Sequence, residues 1–201
     1  MPQISFSVCD QFLPELDALR QTFSEEPWPD GTSEDSHDAD SLHLVASVLE
    51  KPVGMLRISI HPVSPLLDWA ISGDHGIQQT TGAAELTRAV IAPEWRGKSI
   101  YKAFMSQAII WSSSNRVDEL IGAVECGSVL LPFLEECGFM QTGDPSMFIN
   151  RPNGEVQCQV IRTTTNNSIA FAKRFMEDFV VQSRSNGLAV ESNIDDRRNK
   201  H

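Results

Sequence analysis

The sequence predicts a mixed α/β domain: a central mixed sheet containing a βαβ unit, with helices flanking it. Two observations carry this. Short β-rich runs alternate with stretches of helical spacing along the 201 residues. Near the middle, an apolar strand (85–92), an amphipathic helix (97–113) and a second apolar strand (120–124) follow within about forty residues, so the two strands run parallel with a right-handed crossover. The length suits one domain with a sizeable core. The predicted division is a domain over residues 1–182 and a polar tail over 183–201.

Element by element, residues 3–8 alternate as a first strand, and Leu13, Leu16, Leu19 and Phe23 mark a helix. Residues 24–40 then hold seven carboxylates, two prolines and no Lys or Arg. That run reads either as a solvated loop or as an acidic wall facing a cationic acceptor. Residues 42–49 and 53–60 form a hairpin around Glu50-Lys51-Pro52, and residues 61–82 read as a long Pro/Gly/Ser/Gln-rich loop. In the βαβ helix, Ile100, Ala103, Phe104, Ala108 and Trp111 make one buried stripe. Residues 129–137 suit a helix ending at Gly138, a left-handed cap. A hairpin (148–150 with 156–162) and an amphipathic helix (167–182) complete the domain, and the tail beyond is expected to fray.

Composition excludes several functions. A net charge of −11 argues against a nucleic-acid or anionic-membrane surface. No apolar run approaches the ~20 residues of a membrane span. The start, MPQISFSVCD, has neither the basic nor the apolar segment of a secretory leader, which predicts a cytoplasmic chain. Cys9, Cys126, Cys137 and Cys158 lie far apart with no C-x-x-C spacing; they read as free thiols, and no metal site is expected.

The chemistry concentrates in residues 86–104, LTRAVIAPEWRGKSIYKAF. A helix N-terminus offers unpaired N–H groups and a partial positive charge, and Arg96 and Lys98 add formal charge beside Gly97 and Ser99. The junction reads as an anion-gripping turn; an ordinary strand–helix turn is the competing reading. Upstream, Glu85 and Arg88 face opposite sides of a regular strand, so both reach one site only across a β-bulge. A structural ion pair is the alternative for these two. His43, on a hairpin strand, reads as a hydrogen-bonded core residue.

Three segments resemble the GNAT superfamily of N-acetyltransferases. Val90-Ile91-Ala92-Pro93-Glu94-Trp95-Arg96-Gly97-Lys98-Ser99-Ile100-Tyr101 is similar to the family's acyl-CoA pyrophosphate signature. Leu134-Glu135-Glu136-Cys137-Gly138-Phe139 resembles the helix end beside the pantetheine, and 40–45 with 52–57 resembles the central hairpin. The resemblance implies a GNAT-like domain in which Arg96, Gly97, Lys98, Ser99, Ile100 and Tyr101 hold the pyrophosphate. Ala89, Val90 and Ile91 would then hydrogen-bond the pantetheine arm, with Glu85 as base and Arg88 beside it. The donor implied is acetyl-CoA or another acyl-CoA, the acceptor a small-molecule amine.

The sequence departs from the family at Ser99 and Tyr101, where small residues are usual, and at Leu134, where many members carry a tyrosine that protonates the thiolate. Glu85-Leu86-Thr87-Arg88 resembles a motif of N-acyl-homoserine-lactone and N-acyl amino acid synthases. That implies, as a rival reading, long acyl chains delivered on the phosphopantetheine of acyl carrier protein. A CoA-binding regulatory module without turnover is the rival from another class. A homodimer is compatible with the sequence, which does not choose the oligomeric state.

Overall fold

Runs rich in Val, Ile, Leu and Phe build the strands that organise the molecule, seen in a computed structural model that describes residues 2–23, 33–60, 82–151 and 154–192. Eight strands form one mixed sheet: β1 (Gln3–Cys9), β2 (Leu42–Val48), β3 (Lys51–Ile60), β4 (Ala83–Ile91), β5 (Glu119–Glu125), β6 (Met140–Arg151), β7 (Gly154–Thr164) and β8 (Ala189–Ser192). Their spatial order is β6-β7-β5-β4-β3-β2-β1-β8. The helices are α1 (Pro14–Phe23), α2 (Ile100–Ser114), α3 (Leu131–Glu136) and α4 (Thr165–Ser185). β4 and β5 pair in parallel around α2, which is the predicted βαβ unit.

The two faces of the sheet differ in kind. Under α2 and α4 the face is apolar: Ile4, Phe6, Leu44, Leu56, Ile58, Leu86, Phe104 and Leu120 are buried in one cluster. Phe6 meets Phe104 and Phe179 edge-on at 5.8 and 6.1 Å, a favourable aromatic arrangement. Phe104 also sits against Gly54, where a Cβ would come within 3.1 Å of the ring, so only glycine fits there without displacement. Under α1 the face has a small apolar patch of Leu16, Leu19, Val45, Met55 and Val90. Beside that patch it is charged.

Several elements differ from expectation for local reasons. The β2–β3 turn is Leu49-Glu50, one residue earlier than predicted, with φ of 50° and 65°; a two-residue hairpin needs two left-handed residues whatever their identity. α2 begins at Ile100, because Gly97 (φ 73°) and Ser99 (φ 60°) keep the preceding turn out of helix. α3 is six residues long, and Gly138 caps it in left-handed geometry as predicted, with its N–H donating to the Glu135 carbonyl at 2.8 Å. β6 and β7 form a longer hairpin than predicted. Over residues 183–192 the expected frayed tail instead continues α4 to Ser185 and adds β8, which pairs in parallel with β1 from Gln3↔Ala189 to Phe6↔Ser192; residues 193–201 lie outside the described residues. The expectations for residues 24–32 and 61–81 lie outside the described residues. No described helix is long and apolar enough to cross a membrane.

Candidate active site

β4 is continuous with β3 but loses its other neighbour halfway. Its pairing with β5 ends at Leu86↔Gly122, while β4 runs on to Ile91. The two strands therefore part, and among the described residues no strand pairs with that edge of β4 over Thr87–Ile91. Such an edge presents N–H and C=O groups to anything that can pair as a strand does. Ala89, Val90 and Ile91 lie on this stretch.

The register shows the bulge that Glu85 and Arg88 require. Met55 pairs with Val90 and Arg57 with Thr87, so two residues of advance on β3 match three on β4. Arg88 takes φ 55° at the extra position. Thr87 and Val90 consequently share a face although three residues apart. Glu85 lies opposite Ser59 on that face and is buried, at 1% exposure. The Arg88 guanidinium turns to the same side, where its Nη2 donates to Asp35 Oδ2 at 3.1 Å. Burial, reinforced by the Arg20 charge, lowers Arg88 to about 10.

Around these residues lies an ion network. Arg20 on α1 donates through both terminal nitrogens to the Asp38 carboxylate, at 2.7 and 3.0 Å, and also to the Ser33 carbonyl at 2.8 Å. Arg57 donates to Asp35 Oδ1 at 2.7 Å, to Asp38 Oδ1 at 3.1 Å and, through Nε, to Thr87 Oγ1 at 3.1 Å. The Arg20, Asp38 and Arg57 side chains are at most 1% exposed. Burial alone would raise Asp38, yet the hydrogen bonds from Arg20 and from the Asp35 N–H, with the charges of Arg20 and Arg57, hold it below its ordinary value. Arg20 also stacks on Phe12, its Cζ 4.3 Å from the ring centre.

Asp35 and Asp38 thus turn inward onto three arginines. Within the acidic run expected as a solvated loop or as a wall for a cationic acceptor, these two face arginines, while Glu34 and Asp40 are exposed. A signal was present in the sequence: Arg57 interrupts the apolar run VGMLRISI, and a charge in the middle of a buried strand demands a partner. His43 is the buried core residue expected, opposite Arg57, with Nε2 3.3 Å from the Asp38 carbonyl. Burial lowers its pKa, and its Nδ1 has no hydrogen-bond partner among the described residues.

The turn after β4 carries several backbone N–H groups without a backbone acceptor among the described residues. The Arg96 N–H donates to the Pro93 carbonyl, and regular helical bonding resumes with Ala103 N–H to Ser99 O. From Gly97 to Tyr101, no N–H has a backbone acceptor among the described residues. Gly97 and Ser99 are left-handed there, and alternation of left- and right-handed residues is the backbone pattern of anion-binding nests. Arg96 Nε is tied to the Ile91 carbonyl at 3.0 Å, which fixes the turn on the end of β4. Lys98 is exposed, its Nζ 4.2 Å from the Trp95 ring centre. Ile100 is buried in the core.

The three departures each have a visible consequence. Ser99 pays left-handed strain where glycine would not. Tyr101 is half-buried against the apolar cluster, and burial, with Cys137 nearby, raises its phenol to about 12. Leu134 is 1% exposed and purely structural. All four cysteines are free, and burial, with Glu136, pushes the Cys137 thiol up to about 12, which removes it as a nucleophile at neutral pH.

Comparisons with known proteins bear on the fold. No curated protein matches the chain in sequence. Among solved structures, the AHL synthase LasI superposes with a TM-score of 0.62 at 17% identity, covering 86% of this chain and 94% of that one. BjaI, a CoA-dependent acyl-homoserine lactone synthase, gives 0.61 at 15% identity, covering 96% and 94%. The spermidine/spermine N-acetyltransferase SpeG from Vibrio cholerae gives 0.55 at 17% identity, covering 82% and 94%. These likenesses establish the shared fold. The model of the acetyltransferase (GNAT) family matches residues 13–139, and the chain belongs to that family.

Proposed function

We propose that the protein transfers an acyl group from acyl-CoA to a small amine, with Glu85 as general base. One observation carries the reading: the bulge at Arg88 puts buried Glu85 and Arg88 on one face, beside a strand edge that no described strand pairs with and that leads directly into the anion nest. A pantetheine arm carries amide groups that can pair along Ala89–Ile91, and a pyrophosphate matches the N–H groups from Gly97 to Tyr101 with the charges of Arg96 and Lys98.

The base is needed because an amine of pKa ~10 is only about one part in a thousand neutral at pH 7. The neutral nitrogen attacks the thioester carbonyl; the C–N bond forms, the C–S bond breaks, and the amine proton passes to the Glu85 carboxylate. No tyrosine stands at Leu134 to protonate the departing thiolate, which therefore takes its proton from water. Glu85→Gln should cut kcat about 10²–10⁴-fold while CoA binding, read by isothermal titration, stays intact. Full activity in this variant would overturn the role of Glu85. No binding of CoA or any acyl-CoA at millimolar concentration would overturn the donor.

A second reading is favoured by the polar face itself. Glu85-Leu86-Thr87-Arg88 is joined to Arg20, Asp35, Asp38 and Arg57 in one network, and its motif resembles that of the acyl-homoserine-lactone and acyl amino acid synthases. In this reading the donor is a long acyl chain, on CoA or on acyl carrier protein. A donor panel read by mass spectrometry separates the two: turnover confined to acetyl-CoA removes the synthase reading, and turnover confined to long chains removes simple acetyl transfer. Turnover with any donor removes a purely regulatory module.

A further inference from the structure

A buried carboxylate that takes a proton in every turnover must also lose it. Glu85 is 1% exposed. With leucine at position 134 the thiolate takes its proton from water, so the amine's proton stays on Glu85 as a neutral carboxylic acid. Burial favours the neutral form of a carboxyl group, which makes its release a step in need of a path.

Such a path lies along one row of the sheet. Ser59 on β3 stands directly opposite Glu85 on the same face. Pairs of this kind hold their Cβ atoms about 4.5–5.5 Å apart, within reach of a hydroxyl–carboxyl hydrogen bond. One strand further, Leu42 pairs with Ile58, so Ser41 falls beside Ser59, and the two hydroxyl oxygens are 2.7 Å apart. Ser59 is 0% exposed and Ser41 3%, while the preceding Asp40 is exposed. The row therefore runs from Glu85 through two hydroxyls to the surface.

Either serine can be the donor in this pair. A hydroxyl has one proton to give and two lone pairs to receive with, so the pair uses one of its two protons and leaves the other for a third group. Buried O–H groups are rarely left ungiven. Glu85 stands at one end of the pair and water at the other.

We propose that Ser59 and Ser41 form a hydroxyl relay that carries the proton from Glu85 to solvent. The inference rests on the acyl-transfer reading, in which Glu85 is the base. The transfer is concerted. The O–H bond of the Glu85 carboxylic acid breaks as its proton bonds to Ser59 Oγ, the Ser59 proton moves to Ser41 Oγ, and the Ser41 proton passes to water. Glu85 is again a carboxylate, each serine again holds one proton, and a hydronium ion leaves. The hydroxyls then rotate back, Ser59 donating to the charged Glu85. Arg57, Arg88 and Asp35 share this face, and Arg162, tied to Glu119 at 3.3 Å, stands across Ile121 from Glu85. These groups bias how tightly Glu85 holds its proton, and all are retained in the variants below.

The test uses the full chain, with thermal melts to confirm that each variant folds. In protein carrying 13C in its glutamate carboxyls, the Glu85 signal is assigned from Glu85→Gln. Its titration midpoint should rise by about half a pH unit or more in Ser59→Ala, which loses a hydrogen bond to the charged form. Ser59→Thr keeps the hydroxyl and should recover most of that change. With acyl-CoA and amine, Ser59→Ala and Ser41→Ala should lower kcat about fivefold or more at unchanged KM. Added 1,2-dimethylimidazole, a small proton carrier with no N–H to acylate, should restore kcat in both. An unmoved midpoint in Ser59→Ala overturns the proposal. So does a kcat left unchanged by both alanines, or one lowered but indifferent to the added carrier. If the unsubstituted chain turns over no donor, acyl transfer itself is removed, and the titration alone decides whether Ser59 serves Glu85.

Discussion

Replacing Asp38 by Asn tests whether the charged face under α1 is a coupled unit. The carboxylate accepts two hydrogen bonds from Arg20 (2.7 and 3.0 Å), one from Arg57 (3.1 Å) and one from the Asp35 N–H (2.9 Å). Asparagine keeps the shape but puts an NH2 where an oxygen faced donors, and it leaves the buried Arg20 without the Asp38 charge, with the Ser33 carbonyl and the one side-chain oxygen that asparagine keeps as its acceptors. Removing one partner of a buried ion pair costs about 3–5 kcal/mol. Against a total stability of about 5–15 kcal/mol, that is about a fifth or more. Urea unfolding followed by circular dichroism should show the midpoint falling with little change in slope. Arg20→Met should cost a comparable amount, and the double variant should fall short of the sum of the two by roughly 2–3 kcal/mol, which is the coupling. A loss below about 1 kcal/mol in Asp38→Asn, or additive losses in the double variant, would refute the coupled network, since exposed and independent pairs behave that way.

The same carboxylate sets an acid limit. Its native pKa lies below the ordinary 3.8, so its stabilisation is complete above that value and is lost as pH falls through the native one; the urea midpoint of Asp38→Asn, measured across this window, should depend less on pH than that of the unsubstituted protein. Ser99→Gly relieves left-handed strain at φ 60° and should add about 1 kcal/mol in a thermal melt, whereas no gain would mean that the turn is not strained. Glu50→Gly, at φ 65° in the β2–β3 turn, should stabilise by a similar ~1 kcal/mol, and destabilisation would argue against this turn geometry.

The elements that read correctly from sequence are those whose signals are local. The βαβ unit shows itself through apolar runs of the right length around an amphipathic stripe, and Gly138 announces its own cap. The bulge was inferable because Glu85 and Arg88 stand three apart, a spacing at odds with a shared face on a regular strand. The ion network was not, since Arg20, Asp35, Asp38, Arg57 and Arg88 come from four separate segments and only packing brings them together. Charge content alone cannot say whether an aspartate faces water or an arginine. β8 escaped notice because four residues, AVES, carry too little pattern; their strand state is imposed by the free edge of β1.

The bulge on β4 acts on side chains as an insertion acts on a reading frame. Before it, the facing of residues follows one parity; after it, the parity is reversed, so Val90 joins the α1 side and Ile91 packs on the opposite one. Deleting Ala89 would restore strict alternation and pull the strand's end back by about one residue rise, ~3.3 Å. The anion nest would then be out of step with Glu85, although every residue proposed to act would still be present.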